Sequence, residues 1–243
     1  MRHRFRYLLA SAPTPGDVVQ LDAEDARHLT RVVRRTVGDA VEVLDGRGGL
    51  WAAEVVDVAP ARVRVGAPRE VPAAPEVTLY VGTLDRGRLD TLVEKVGELG
   101  AREVVLFSSA RSRRVPSAAD WTRRRERLDR VAAAALRQSG RAMPPALRGV
   151  VPFDDILREV PAEQGVLLDH DADEPLSSAL VGRMPVRLIV GPDAGFERAE
   201  VDAARAAGLT VAGLGEAMLR TETAAIAALT LALDASGFLG VAP

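Results

Sequence analysis

The sequence predicts an α/β protein in two parts: a small N-terminal β domain and a larger C-terminal domain whose helices cover a mainly parallel sheet. Three observations predict it. The segment Ala67–Glu76, APREVPAAPE, is proline-rich and reads as a linker, dividing the 243-residue chain into domains at 1–72 and 73–243. Before it lie short alternating apolar runs separated by turn residues. After it, apolar strand-like runs alternate with helical patterns, the signature of a parallel sheet with helices on both faces.

Ala23 to Val33 has the spacing of one short helix. Val41–Leu44, Trp51–Val58 and Arg62–Val65 read as strands, with Asp45-Gly46 and Gly48-Gly49 as turns between them. Beyond the linker, Val77–Val81 is an apolar strand. Leu89 to Leu99 is a helix closed by Gly100. Glu103–Phe107 is a strand, and Trp121 to Gln138 is a long amphipathic helix with an arginine-rich face. Val166–Leu168 and Arg187–Val190 are strands of the buried type, Glu197 to Ala207 is a helix ended by Gly208, and Leu209–Leu214 is a further strand. The mostly apolar stretch Thr223 to Leu239 closes the pattern as a helix, too apolar for an isolated surface helix and so expected to lie against core or partner.

Composition excludes several classes. Hydrophobic residues make up 47% and charged residues 27%, a globular balance. Without cysteine there are no disulfides, thiolate metal sites or cysteine nucleophiles. His3, His28 and His170 are too scattered to suggest a metal site, so none is expected. The arginine-interrupted start does not resemble a signal peptide, and no run is long enough to span a bilayer, so a cytoplasmic location is expected. A net charge of −2 conceals an asymmetry: Arg86 to Arg148 holds 15 basic and 7 acidic residues, whereas Gly149 to Pro243 holds 6 and 15. A local basic surface suits a polyanion. An arginine-rich solvated face has the same signature, and because 31 of the 32 basic residues are arginine, codon bias explains part of it.

Two segments carry the chemistry. In Leu188–Phe196, LIVGPDAGF, an apolar strand stops at Gly191-Pro192 and small residues lead to a helix, a turn that lets backbone amides approach a ligand at the carboxyl end of a sheet. In Leu214–Ala224, LGEAMLRTETA, a polar cluster opens an apolar helix; Thr221 or Thr223 can cap it, with Glu222 favoured by the helix dipole. Capping does not explain the arginine at this junction. No G-x-G-x-x-G, Walker-type loop or G-x-S-x-G elbow is present, which weighs against dehydrogenase, NTPase and esterase readings.

Together these segments resemble the RsmE family of small-subunit ribosomal RNA methyltransferases in the SPOUT superfamily. MRHRFRY at Met1–Tyr7, HLTRVVRRTVG at His28–Gly38, EKVGELG at Glu94–Gly100 and ALRQSGRAMPP at Ala135–Pro145 are similar to family segments in the same order, and GPDAGF with LGEAMLRTETA is the most specific pair. Asp193 and Ala194 depart from the family's usual Gly-Pro-Glu-Gly-Gly: the carboxylate reaches less far, and a Cβ enters a turn where positive φ would strain it. The family's basic residue near the start of the C-terminal domain is met here by Arg86 or Arg88, and Leu136-Arg137 stands where an acidic residue is common.

The resemblance implies a PUA-like β barrel followed by a SPOUT α/β domain with a trefoil knot, working as a homodimer. It implies S-adenosylmethionine as cofactor and methylation of uridine N3 in 16S ribosomal RNA on the small subunit. On that basis Gly191, Pro192, Asp193, Ala194, Gly195, Leu214, Gly215, Met218, Leu219 and Thr223 are expected to bind the cofactor, Arg220 to orient the uracil or a phosphate, and Glu222 to accept a proton. RNA-positioning candidates are Arg2, Arg4, Arg6, Arg31 and Arg34 in the first domain and Arg111, Arg113, Arg114, Arg137 and Arg141 in the second, whereas Arg123, Arg124 and Arg125 read better as a solvated surface. A non-catalytic RNA-binding or ribosome-assembly factor of the same fold and a SPOUT enzyme acting on transfer RNA are the alternatives.

Overall fold

A computed structural model describes residues 5–71, 73, 75–113 and 115–239. The chain divides into two compact units at Ala73, with Ala133–Pro144 belonging to the first, so the division is not the single cut that the linker suggests.

In the first unit, β1 (Arg6–Leu8), β2 (Val18–Gln20), β3 (Ala40–Leu44), β4 (Leu50–Val58) and β5 (Ala61–Pro68) form a sheet in the order β1-β3-β4-β5-β2. Bulges at Trp51/Ala53 and Val55/Asp57 bend β4 and curl the sheet, because an extra residue increases local twist. The expected barrel is thus a curled half-barrel; among the described residues β1 and β2 do not pair. Alternate residues Val41, Val43, Val55, Val63 and Val65 fill its core with Tyr7 and Leu29. The three-residue strands β1 and β2 are too short to show a pattern in sequence, and β5 runs into the supposed linker as far as Pro68.

Helix α1 (Ala23–Arg27) starts at Asp22, whose side chain accepts the Asp25 N–H at 2.7 Å. It does not continue regularly to Val33: the chain widens through His28–Val32, where Val33 N–H reaches His28 O. Buried Asp25 ties α1 to its neighbours. It accepts the Leu8 N–H at 3.2 Å and lies 2.9 Å from Arg137 Nε.

In the second unit, β6 (Val77–Gly82), β7 (Glu103–Ser108), β8 (Ala146–Pro152), β9 (Gly165–Leu168), β10 (Val186–Val190) and β11 (Thr210–Ala212) form a fully parallel sheet in the order β11-β9-β10-β6-β7-β8. One face is covered by α2 (Arg86–Leu99), the N-terminal part of α3 (Ala118–Ser139), α5 (Leu176–Ala179) and α7 (Thr221–Ala235). The other is covered by α4 (Phe153–Glu159) and α6 (Arg198–Ala206), with Phe107, Phe153 and Phe196 in mutual contact. Burial on both faces is why β6 and β10 are largely apolar, and their polar residues pair, Arg187 donating to Thr78 Oγ1 at 2.6 Å. Gly100, at φ 99°, ends α2 as expected.

Strand β11 lies at the sheet edge, yet the chain returns from it to pack α7 on β6, β10 and α2 near the centre. Helix α7 buries Ala225, Ala228, Leu229, Ala232 and Leu233 and stops at Ala235, short of the anticipated Leu239, leaving Leu231 exposed. No helix among the described residues is long and apolar enough to cross a membrane, and no group of metal-binding side chains occurs there.

Candidate functional site

Parallel strands end together, so the loops that follow β9, β10 and β11 meet at one edge of the sheet. The loop after β10 turns sharply, with Gly195 N–H bonded to Pro192 O at 2.7 Å and Gly195 at φ 70°. Ala194 has no positive φ; Arg34 is the one non-glycine residue with that property among those described. The strain anticipated at Ala194 is therefore absent, because the left-handed position falls one residue later, on glycine.

Gly82, at the end of β6, allows this loop to sit close: a Cβ there would stand 2.3 Å from Pro192 N. The loop after β11 is fixed at its root by Gly213 N–H to Glu174 O and Leu176 N–H to Gly213 O, both 2.8 Å. Beyond that root, the N–H groups of Gly215, Met218 and Leu219 donate to no protein acceptor among the described residues. Together the loops enclose a cleft of about 290 Å³ lined by Gly191, Pro192, Asp193, Ala194, Gly195, Leu214, Gly215, Met218 and Leu219, nine of the ten expected residues.

The tenth, Thr223, is exposed and does not line it. Helix α7 begins two residues earlier than expected, which rotates Thr223 roughly 200° around the axis from Thr221. Thr221 lines the cleft instead. Neither threonine caps the helix: Arg220 holds the cap position without a side-chain bond, and the buried Thr221 hydroxyl donates to Gly191 O at 3.0 Å and lies 3.3 Å from Asp193 Oδ1. Sequence reading also missed Leu168, Asp169, His170 and Asp171, which form the cleft wall after β9.

Arg88 organises the outer side of the loop. Its guanidinium donates to Asp85 and Asp193, each at 2.6 Å, and lies 3.7 Å from Glu222 Oε2. These hydrogen bonds, that to Asp193 first, hold Arg88 above its usual range, and the Arg88 bond holds Asp193 below the usual carboxylate range. Glu222 is largely shielded and faces Arg88, outside the cleft lining. Arg220 is exposed, in a shallow depression with Asp85, Arg88, Asp193, Met218 and Leu219.

The remaining arginines separate by environment. Arg6 is paired with buried Glu42 at 2.9 Å, and Arg137 with Asp25, Asp22 and Glu24, so both hold the first unit together. Burial lowers the pKa of Arg141. Arg31 and Arg34 are exposed on the first unit. Arg111 donates to Ala194 O at 3.0 Å, and exposed Arg113 lines a larger neighbouring cleft. Arg2, Arg4 and Arg114 lie outside the described residues.

The fold and site define an α/β protein with a ligand-sized cleft at the carboxyl edge of its parallel sheet, Arg111 in the lining, and comparison with known proteins supplies the class. Residues 72–233 match the RNA methyltransferase domain and residues 21–65 the RNA methyltransferase PUA domain; the chain belongs to this RNA methyltransferase family. It is 26% identical to ribosomal RNA small subunit methyltransferase E of Bacillus subtilis, over 91% of this chain and 90% of that protein. To the protein of the same name from Mycobacterium tuberculosis it is 28% identical, over 92% and 88%. Among solved structures, a probable rRNA-methyltransferase from Porphyromonas gingivalis superposes with a TM-score of 0.73 at 28% identity, covering 93% of this chain and 95% of that one. The Neisseria gonorrhoeae ribosomal RNA small subunit methyltransferase E bound to S-adenosyl methionine has the same fold, with a TM-score of 0.80 at 24% identity over 96% and 98%. The RsmE resemblance read from the motifs thus extends along nearly the whole chain.

Proposed function

We propose that this protein transfers a methyl group from S-adenosylmethionine to uridine N3 in 16S ribosomal RNA, acting in the cytoplasm as a homodimer on the assembled small subunit. The observation that carries the cofactor assignment is the cleft between Gly191–Gly195 and Leu214–Leu219. Its unpaired backbone N–H groups suit the acceptor nitrogens of adenine, and its turns leave room for a bent methionine tail. The family match and the names of the relatives support ribosomal RNA as substrate.

S-adenosylmethionine supplies a methyl group already activated by its sulfonium. The chain's part is to hold donor and acceptor in line and to receive one proton from N3. Thr221 and Arg88 fix the loop after β10 from two sides. Arg220, exposed beside that loop, is the group we assign to the uracil oxygens or an adjoining phosphate. Glu222 is our candidate proton acceptor, through a movement that turns it away from Arg88. Met218, exposed at the cleft, and Leu231, exposed on α7, are apolar surface that a second copy would cover.

The test is methyl transfer to 16S ribosomal RNA, as naked transcript and as assembled small subunit, followed by mass spectrometry of the nucleosides. N3-methyluridine formed on the subunit is the expected product. Cofactor binding without transfer to either substrate would point to a non-catalytic assembly factor, and transfer to tRNA alone to a different SPOUT substrate.

A further inference from the structure

Beside the cofactor cleft, on the other side of the Pro192–Ala194 loop, lies a second cleft of about 830 Å³, formed by the start of α2, by Arg111, Arg113, Val115 and Pro116, and by one face of α3. It is lined by eight arginines against four aspartates. The aspartates are already committed: Asp85 and Asp193 to Arg88, Asp90 to Arg127 at 2.5 Å, and Asp120 to Arg123 at 2.9 Å. Arg86, Arg113 and Arg124 have no carboxylate partner among the described residues, and Arg124 is half-buried in the groove. A partly desolvated guanidinium without a counter-charge is costly unless an anion arrives.

We infer that this cleft is a clamp for the phosphodiester backbone of single-stranded RNA, with Arg86, Arg113 and Arg124 as its principal phosphate contacts. The inference rests on the proposed RNA substrate and identifies how that substrate is held. Four residues, Arg111, Pro192, Asp193 and Ala194, line both clefts, so a strand lying in the larger one brings a nucleotide to the loop that walls the smaller. No aromatic side chain lines it among the described residues, so it offers no platform for base stacking. The clamp reads charge and spacing, not sequence. The face of α3 that composition alone leaves to solvent is therefore part of the substrate path. Arg125, on the same helix, does not line the cleft and pairs with Asp129.

The experiment measures binding of the full-length protein to a 16S ribosomal RNA fragment and to an unrelated single strand of equal length, from low to moderate salt. Arg124→Ala and the double variant Arg86→Ala/Arg113→Ala should weaken binding to both RNAs equally. Each lost contact should reduce the slope of log K against log salt by about 0.7. In methyl transfer the loss should fall on KM for RNA more than on kcat, with cofactor affinity unchanged. Arg124→Lys should restore most of the slope, which a purely structural role would not predict. A parental slope in the alanine variants, an equal change in Arg125→Ala, or a loss confined to the ribosomal fragment overturns the clamp. If the parent transfers no methyl group but still binds with this arginine-dependent slope, the reaction assignment fails and the clamp stands; if it binds no RNA, both fail.

Discussion

Arg88 Nη1 donates to Asp193 Oδ1 at 2.6 Å, joining the start of α2 to the loop after β10 across 105 positions of sequence. Asp193 is where the family usually has the longer Glu, and the shorter carboxylate still meets its partner. Because both side chains are partly exposed, the ion pair itself contributes modestly, about 0.2–1 kcal/mol. Its larger role is to hold the turn that walls the cleft. Arg88→Ala and Asp193→Asn should each lower S-adenosylmethionine affinity about three- to tenfold in isothermal titration. Their effects should be less than additive in a double-mutant cycle. Full additivity would mean that the two residues act separately.

The same loop depends on two glycines for different reasons. Gly195 has open space around its missing Cβ but φ 70°, so Gly195→Val strains the backbone whatever room the cleft that it lines leaves for the side chain. Gly82 has ordinary φ, but an added Cβ would collide with the Pro192 backbone. Gly82→Ala should cost about 1–3 kcal/mol of stability, as overpacking does, and should weaken cofactor binding more than Gly195→Ala. A Gly82→Ala protein with parental melting and affinity would show that the loop does not depend on this close approach.

Arg34, exposed on the first unit, has φ 51°, a conformation that costs a non-glycine residue roughly 1 kcal/mol or more. Replacing it by glycine removes both the strain and the charge. Arg34→Gly should therefore melt higher than Arg34→Ala, while both bind RNA more weakly and with a flatter salt dependence than the parent. If RNA affinity at low salt is unchanged in both, the strained arginine has no part in RNA binding.

Much of the fold was legible because burial leaves a local trace. Strands β6, β7, β9 and β10 are largely apolar, α2 ends at its glycine, and nine of the ten residues expected from two contiguous motifs line the cleft. What escaped was decided at long range. Edge strand β8 is interrupted by Arg148 and Gly149 and pairs only with β7, so it lacks a buried strand's signature. The choice between Arg86 and Arg88 depends on a carboxylate in a distant loop, and the start of α7 on a Thr221 hydroxyl bonded to a carbonyl 30 residues away. Arg6 and Arg137 look like free basic residues in sequence, because the carboxylates that hold them, Glu42 and Asp25, become neighbours only on folding.

Asp25 gives the first unit a pH signature. Burial raises its pKa from 3.8 to about 6, against the opposing pull of Arg137 and with Asp22 and Glu24 adding to the rise. An acid whose folded pKa is raised contributes stability below its unfolded pKa and loses that contribution as pH rises through the folded value. Asp25 should therefore make the protein progressively less stable between about pH 4 and pH 6. The substitution Asp25→Asn removes this proton equilibrium. The melting temperature of that variant relative to the parent should climb over the same interval, whatever offset the weakened Arg137 contact introduces. A constant difference across the interval would show that Asp25 titrates normally.

Arg220 has a backbone role and a side-chain role that can be separated. Its extended backbone, φ −67° and ψ 153°, leads into α7, and its carbonyl accepts the Ala224 N–H at 2.9 Å, so the helix start does not need the guanidinium. The exposed side chain shares a depression with Arg88 and Asp193 beside the cleft. A group placed to meet developing charge acts mainly in the transition state. Arg220→Ala should therefore slow single-turnover methyl transfer by more than about tenfold, roughly 1.4 kcal/mol, with little change in melting temperature, cofactor affinity or RNA affinity. Arg220→Lys keeps the charge but not the planar fork, so it should recover only part of the rate if the fork grips two oxygens. Full recovery with Lys would reduce the role to charge alone, and parental rates in the folded Ala variant would remove Arg220 from the reaction.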